Sequence, residues 1–238
     1  MCPHAPSHDG AAPDRTRRAA LACLVGLPGT FAMAAEDYSR AERAIFMSNH
    51  LANVRPPTTL QYRYVKSGTM EPGFEDRVTL RLAARADKSC CTASADFLNG
   101  ARRFALPDVE ATEGNPVLLY FLERDIREMS RLTKGQSNYF RKRIRMAIYQ
   151  SAEMSELTLP YRGKSVAARR FTVAPYVDDP LRERFATLAG KRYTFTLSDA
   201  VPGGVYGVAT QVDAEGGAPP FWMEEMILEG AAPTLRTQ

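Results

Sequence analysis

The chain has 238 residues, 45% of them apolar and 24% charged, with a formal charge of +4. That is enough apolar material for a real core, and far too weak a positive field for a nucleic-acid binder. Four cysteines and three histidines, four of the seven in the first 30 residues, do not supply a closed four-ligand zinc site in the body of the chain.

The first 34 residues read as a secretory signal peptide. Arg15, Arg17 and Arg18 form a basic region, Ala19 to Phe31 a short apolar run, and Ala32-Met33-Ala34 an A-x-A cleavage site. The run is broken by Gly26, Pro28 and Gly29 and falls short of the ~20 residues a spanning helix needs. An uncleaved anchor and a lipobox at Ala20-Leu21-Ala22-Cys23 are the competing readings, the latter with almost no apolar stretch before Cys23. The polar leader before Arg15 leaves the true translation start open. Cleavage near Ala34 leaves residues 35–238 as a single periplasmic or secreted domain. Three arginines and two aspartates go with the leader, so the charge falls from +4 to +3.

A helix is expected from Glu36 to about Ala52, capped by Asp37 or Ser39, with Ile45, Phe46 and Leu51 on its apolar side. Arg55-Pro56-Pro57 ends it. Leu60, Tyr62 and Tyr64, then Val78, Leu80 and Leu82, alternate with polar residues as half-buried antiparallel strands do. A hairpin is expected next, with Cys90–Leu98 and Ala101–Leu106 joined by a type I′ turn at Asn99-Gly100. Asn115-Pro116 opens the strongest helix, with Asn as cap and Pro at its first position. Leu118, Phe121, Leu122, Ile126, Met129 and Leu132 recur at helical spacing up to Gly135. Glu123 and Arg127 form a favourable i,i+4 pair on the polar face. A second helix is expected over Ser137–Tyr149, with Phe140, Ile144, Ala147 and Ile148 on one side. Strands follow at Met154–Leu159, Lys164–Val173, Tyr193–Leu197, Val205–Val212 and Phe221–Glu229, with a short helix after Asp179-Pro180. Sequential strands without βαβ alternation predict an α+β fold, a curved antiparallel sheet packed with a few helices.

This order of elements resembles the layout of periplasmic lipoprotein carriers, in which a strongly curved sheet forms a half-barrel. Three local strings, from Gly114-Asn115-Pro116 through Asp125, Tyr139-Phe140-Arg141 and Ser198 through Tyr206, are similar to an uncharacterised family of exported proteobacterial proteins. The resemblance implies a half-barrel whose concave face holds helices or an acyl chain. It brings no activity, so function taken from it is analogy at the level of fold.

No G-x-S-x-G, H-E-x-x-H, P-loop or EF-hand loop occurs. His50 reads as an ordinary surface or helix-end residue near a solvated stretch. Glu224 and Glu225, adjacent on a strand, point to opposite faces and cannot act together. Asp178 and Asp179 read as turn and cap residues, and Glu123 and Asp125 as the solvated face of a helix. Adjacent Cys90 and Cys91 read as two small strand residues. A vicinal disulfide and an intermolecular bridge are the alternatives, the first with Cα atoms ~3.8 Å apart, below the usual ~4.4–6.8 Å. No cofactor, metal or nucleic-acid partner is expected. Two candidate sites remain. Tyr62, Tyr64, Val78, Leu80, Leu82, Phe195 and Leu197 can share one concave apolar face, as a pocket for a lipid or lipoprotein or as plain core. Arg141, Lys142, Arg143 and Arg145 can meet an anionic membrane surface or simply be solvated. The first functional reading is a non-enzymatic binder of an apolar envelope ligand. An accessory protein of envelope assembly and an envelope hydrolase stand behind it.

Overall fold

Alternation of buried and more exposed side chains along Thr58–Ser67 and Phe74–Ala84 sets which face of these strands meets the core. The computed structural model describes residues 38–87, 90–110 and 114–235 of the chain. The leader read over residues 1–34, and Asp37 as a cap, lie outside the described residues.

Among the described residues nine strands form one open antiparallel sheet: β1 (Thr58–Ser67), β2 (Phe74–Ala84), β3 (Cys90–Phe97), β4 (Val109–Glu110), β5 (Glu153–Tyr161), β6 (Lys164–Val173), β7 (Arg192–Leu197), β8 (Val205–Val212) and β9 (Trp222–Leu228). Their order is β4-β3-β2-β1-β9-β8-β7-β6-β5. The first four strands step outward from β1, and the last five return to it, so β9 pairs with β1 at the centre. Between the two runs lie α2 (Pro116–Thr133) and α3 (Ser137–Ser151); a single turn, α1 (Arg40–Glu42), precedes the sheet. The expected α+β half-barrel is the fold the chain adopts.

In β1 and β2, Tyr62 stands opposite Val78 and Leu60 opposite Leu80, and all four are buried. The same inner face continues through Met226, Val208 and Phe195, one cross-strand row of the core. At α2, Asn115 caps as expected, its side-chain oxygen accepting from the Val117 amide at 3.0 Å. The stop differs in detail: Lys134, not Gly135, takes the left-handed conformation (φ 58°). Gly135 is needed for space, because a Cβ there would lie 2.6 Å from the Phe140 ring.

Two local expectations are corrected. The first helix shrinks to α1 and a π-helical turn, Arg43–Met47. Ser39 and Glu42 form the capping box that starts it. The His50 Nε2 donates to the Ala44 carbonyl at 2.7 Å, and the Ser48 amide reaches back to Arg43 instead. That exchange opens the helix by one residue and ends it. The Asn99-Gly100 hairpin does not form either. Asp76 accepts from both the backbone and the side-chain amide of Asn99, at 3.1 and 2.6 Å. Held this way, Asn99 keeps an extended backbone and the chain turns through a 3-10 segment, Gly100–Arg102. Beyond it Phe104 bridges back to Phe97, and β4 pairs with Thr92 and Ala93, in place of the continuous strand expected from Ala101 to Leu106. Tertiary hydrogen bonds override the turn propensity of the dipeptide.

Candidate functional site

Two faces of α2 hold the chemistry of this molecule. The inner one lies against the sheet and is unexpectedly charged. Register places Lys66, Glu224, Thr210 and Tyr193 in one row across β1, β9, β8 and β7. Above that row, Arg124 donates to Glu224 at 2.8 Å, and Asp125 pairs with Lys191 while accepting from the Tyr193 hydroxyl at 2.6 Å. The Tyr176 hydroxyl lies 3.1 Å from that of Tyr193. Lys66 pairs with Glu71 and, at 3.6 Å, with Glu128. Both lysine ammonium groups also sit against the Trp222 ring, at 4.1 and 4.9 Å from its centre. Burial, reinforced by the nearby Asp125 carboxylate, pushes the Tyr193 and Tyr176 hydroxyls well above their ordinary range. Burial and then Glu224 do the same to Tyr64. Each carboxylate here is engaged by a cation and lies under the helix. The cluster is built to clamp α2 to the sheet.

The side of α2 turned away from the sheet is apolar, buried at Leu118, Leu122 and Ile126, and borders a groove. Leu118, Leu122 and Ile126, spaced by four, form the floor of a groove with Leu119 beside them. Ile45, Phe46 and Met47 of the π-helical turn make one wall, Ile144 of α3 another, and Leu106, Pro107 and Val109 close the end beside the sheet edge. The groove has a volume of about 610 Å³, within the roughly 300–1,000 Å³ typical of small-molecule sites. Of the seven large apolar side chains exposed among the described residues, Tyr38, Met47 and Leu119 all line it, Leu119 at 54% exposure. Its rim carries Glu42, Glu110, Glu123, Arg141 and Arg145.

The seven apolar residues expected to line a ligand face are all buried on one side of the sheet, as the alternation required. They belong to the closed core, beneath Val117, Phe121 and Met129 of α2, and none lines the apolar groove. The expected basic patch is dispersed. Arg141 makes a two-pronged pair with Glu123 at 3.0 and 2.6 Å, and Arg143 binds Asp179 at 2.6 Å. Arg145 lies 3.7 Å from Glu42, and Lys142 is exposed. A helical period of 3.6 residues puts Arg141 and Arg145 on the groove side and turns Arg143 away from them.

Other readings resolve as follows. Asp125 is fully buried, a correction to its assignment to a solvated helix face; Lys191 and Tyr193 make that burial tolerable. His50 is buried too, under Gly204, with Nδ1 lacking a partner among the described residues. Glu224 and Glu225 do point to opposite faces, Glu225 accepting from Thr234 and the Leu235 amide. Asp179 stabilises a turn, accepting from the Leu181 amide at 2.7 Å, and also accepts from the Tyr139 hydroxyl at 2.6 Å; the short helix that follows is a 3-10 segment, Arg182–Gly190, with Leu181 and not Asp179 at its N-cap. Cys90 and Cys91 are joined as a vicinal disulfide, the alternative to two free strand residues. The groove itself went unread in the sequence. Its signal was the unbroken apolar run from Val117 to Leu122, which wraps more of a helix than one packing face can bury.

No protein-family model matches the chain, and no curated protein matches it in sequence. Among solved structures the chain is similar to the crystal structure of the Mycobacterium tuberculosis lipoprotein LppX, with 8% sequence identity and a TM-score of 0.32, over 77% of this chain and 91% of that one.

Proposed function

We propose that this protein is exported and binds an apolar envelope ligand, a lipid or the lipid part of a lipoprotein, in the groove on the outer face of α2, without catalysing a reaction. The observation that carries the reading is the groove's lining: an apolar floor, with three large apolar side chains left in contact with water. Exposed apolar area of this kind marks a surface meant to be covered. Each methylene buried there contributes about 0.8 kcal/mol, so an acyl chain of ten or more carbons retains useful affinity after the cost of association. Export is supported by the pattern of Arg15, Arg17, Arg18 and Ala32-Met33-Ala34.

Native mass spectrometry of the protein recovered from the periplasm tests this directly. Co-purified lipid is expected, and Leu119→Asp, which places a charge on the floor of the groove, is expected to lose it. A clean apo mass, together with no uptake of a fluorescent fatty acid by the delipidated protein, would overturn lipid binding. The exposed patch would then belong to a protein contact in envelope assembly.

A further inference from the structure

The charges around the groove are unevenly used. Both oxygens of Glu123 are held by Arg141, whose remaining Nη1 donates to Asn138 at 2.6 Å. Glu110 is paired with Arg85 at 2.8 Å. Glu42 is almost fully buried, and one of its oxygens accepts from the Ser39 amide at 3.0 Å. Arg145 differs. Its side chain is 73% exposed, and the one ion pair it makes among the described residues is with the other oxygen of Glu42, at 3.7 Å from Nε, beyond hydrogen-bond reach. The rim therefore offers no free carboxylate to a cationic head, and one guanidinium whose fork of donors is uncommitted.

We propose that Arg145 receives the carboxylate of a long-chain fatty acid whose tail lies along Leu118, Leu122 and Ile126. This inference rests on the lipid-binding reading above and adds to it the charge and the head of the ligand. A guanidinium presents two parallel N–H donors in a plane, which matches the two oxygens of one carboxylate. A single such group suits a single negative charge. A phosphate head, with more oxygens and more charge, would call for further cations, and Arg141 on the same side is already taken by Glu123. The tail leaves the rim on the side of Ile144, one residue before Arg145 on α3, so head and chain are served by adjacent positions of one helix.

The test uses the exported, delipidated protein, with affinities for oleate, oleyl alcohol and oleoyl lysophosphatidate measured by displacement of a fluorescent fatty acid at pH 8. Oleate is expected to bind about tenfold more tightly than the alcohol of the same chain, the usual worth of a hydrogen bond to a charged group. Arg145→Gln is expected to bring oleate to within about twofold of the alcohol while leaving the alcohol unchanged. Raised salt is expected to weaken oleate and spare the alcohol. Equal binding of acid and alcohol by the native protein would overturn the head-group assignment and leave the apolar groove standing. Arg145→Gln weakening both ligands alike would overturn it as well. Tighter binding of lysophosphatidate than of oleate would overturn the carboxylate in favour of a phosphate. Binding of none of the three would overturn the groove as a lipid site together with this inference.

Discussion

The two apolar sides of α2 are held in different ways. The face against the sheet carries Arg124, Asp125 and Glu128 among its apolar residues, whereas Leu118, Leu122 and Ile126, themselves buried, floor a groove beside exposed Leu119. An interface of packed hydrocarbon would have held the helix at less electrostatic risk, since a buried ion pair recovers its desolvation cost only when fully satisfied. What ion pairs add is position, because each has one partner at one register of the sheet. The apolar groove has no such demand and tolerates any chain of the right girth. Fixed geometry is thus built from charge on the inner side, and adaptable affinity from hydrocarbon on the outer side.

The largest effect is expected where one buried partner is removed. Asp125→Ala strands the Lys191 ammonium and leaves the Tyr193 hydroxyl without its acceptor, so a loss of roughly 3–5 kcal/mol is expected in urea unfolding. A loss below about 1 kcal/mol would mean that the inner face does not clamp the helix.

A smaller effect links His50 to the groove wall through Ala44. Burial lowers the His50 pKa below its ordinary 6.5; the bond to Ala44 and the nearby Asp199 oppose this, and Arg169 adds to it. The unfolded chain therefore takes up the proton first as pH falls. The stability His50 contributes is complete above pH 6.5 and declines from there toward its lower folded-state value. Urea midpoints at pH 7.5 and 5.5 should fall less for His50→Gln than for the native protein. Parallel falls would remove His50 from the account.

The smallest effect belongs to the outer face. Leu119→Ser should change stability by no more than about 0.5 kcal/mol, because that side chain is already half in water. A large destabilisation would show that Leu119 serves the fold and not a ligand.

Much of the scaffold was legible from local pattern. Period-two alternation in β1 and β2, the Asn115-Pro116 helix start and the spacing of Phe140, Ile144, Ala147 and Ile148 each express a single residue's neighbours along the chain. Local failures came wherever a distant partner outbid a local preference. Asp76 took Asn99 from its turn, and the His50 ring took the Ala44 carbonyl from its helix. Asp125 was drawn beneath the helix by Lys191, 66 residues away.

Sequence by itself determined which residues alternate, where the two long helices begin, and that one side of the sheet would be apolar, because backbone sterics, capping and side-chain period act over a few residues. Only the tertiary structure decided that this apolar side would be filled, that the basic run of α3 would be split among acidic partners, and that the open hydrocarbon would lie on the far side of α2. Which surface stays uncovered depends on how much area the neighbouring elements can reach, and that is a property of the packed molecule, not of any one segment.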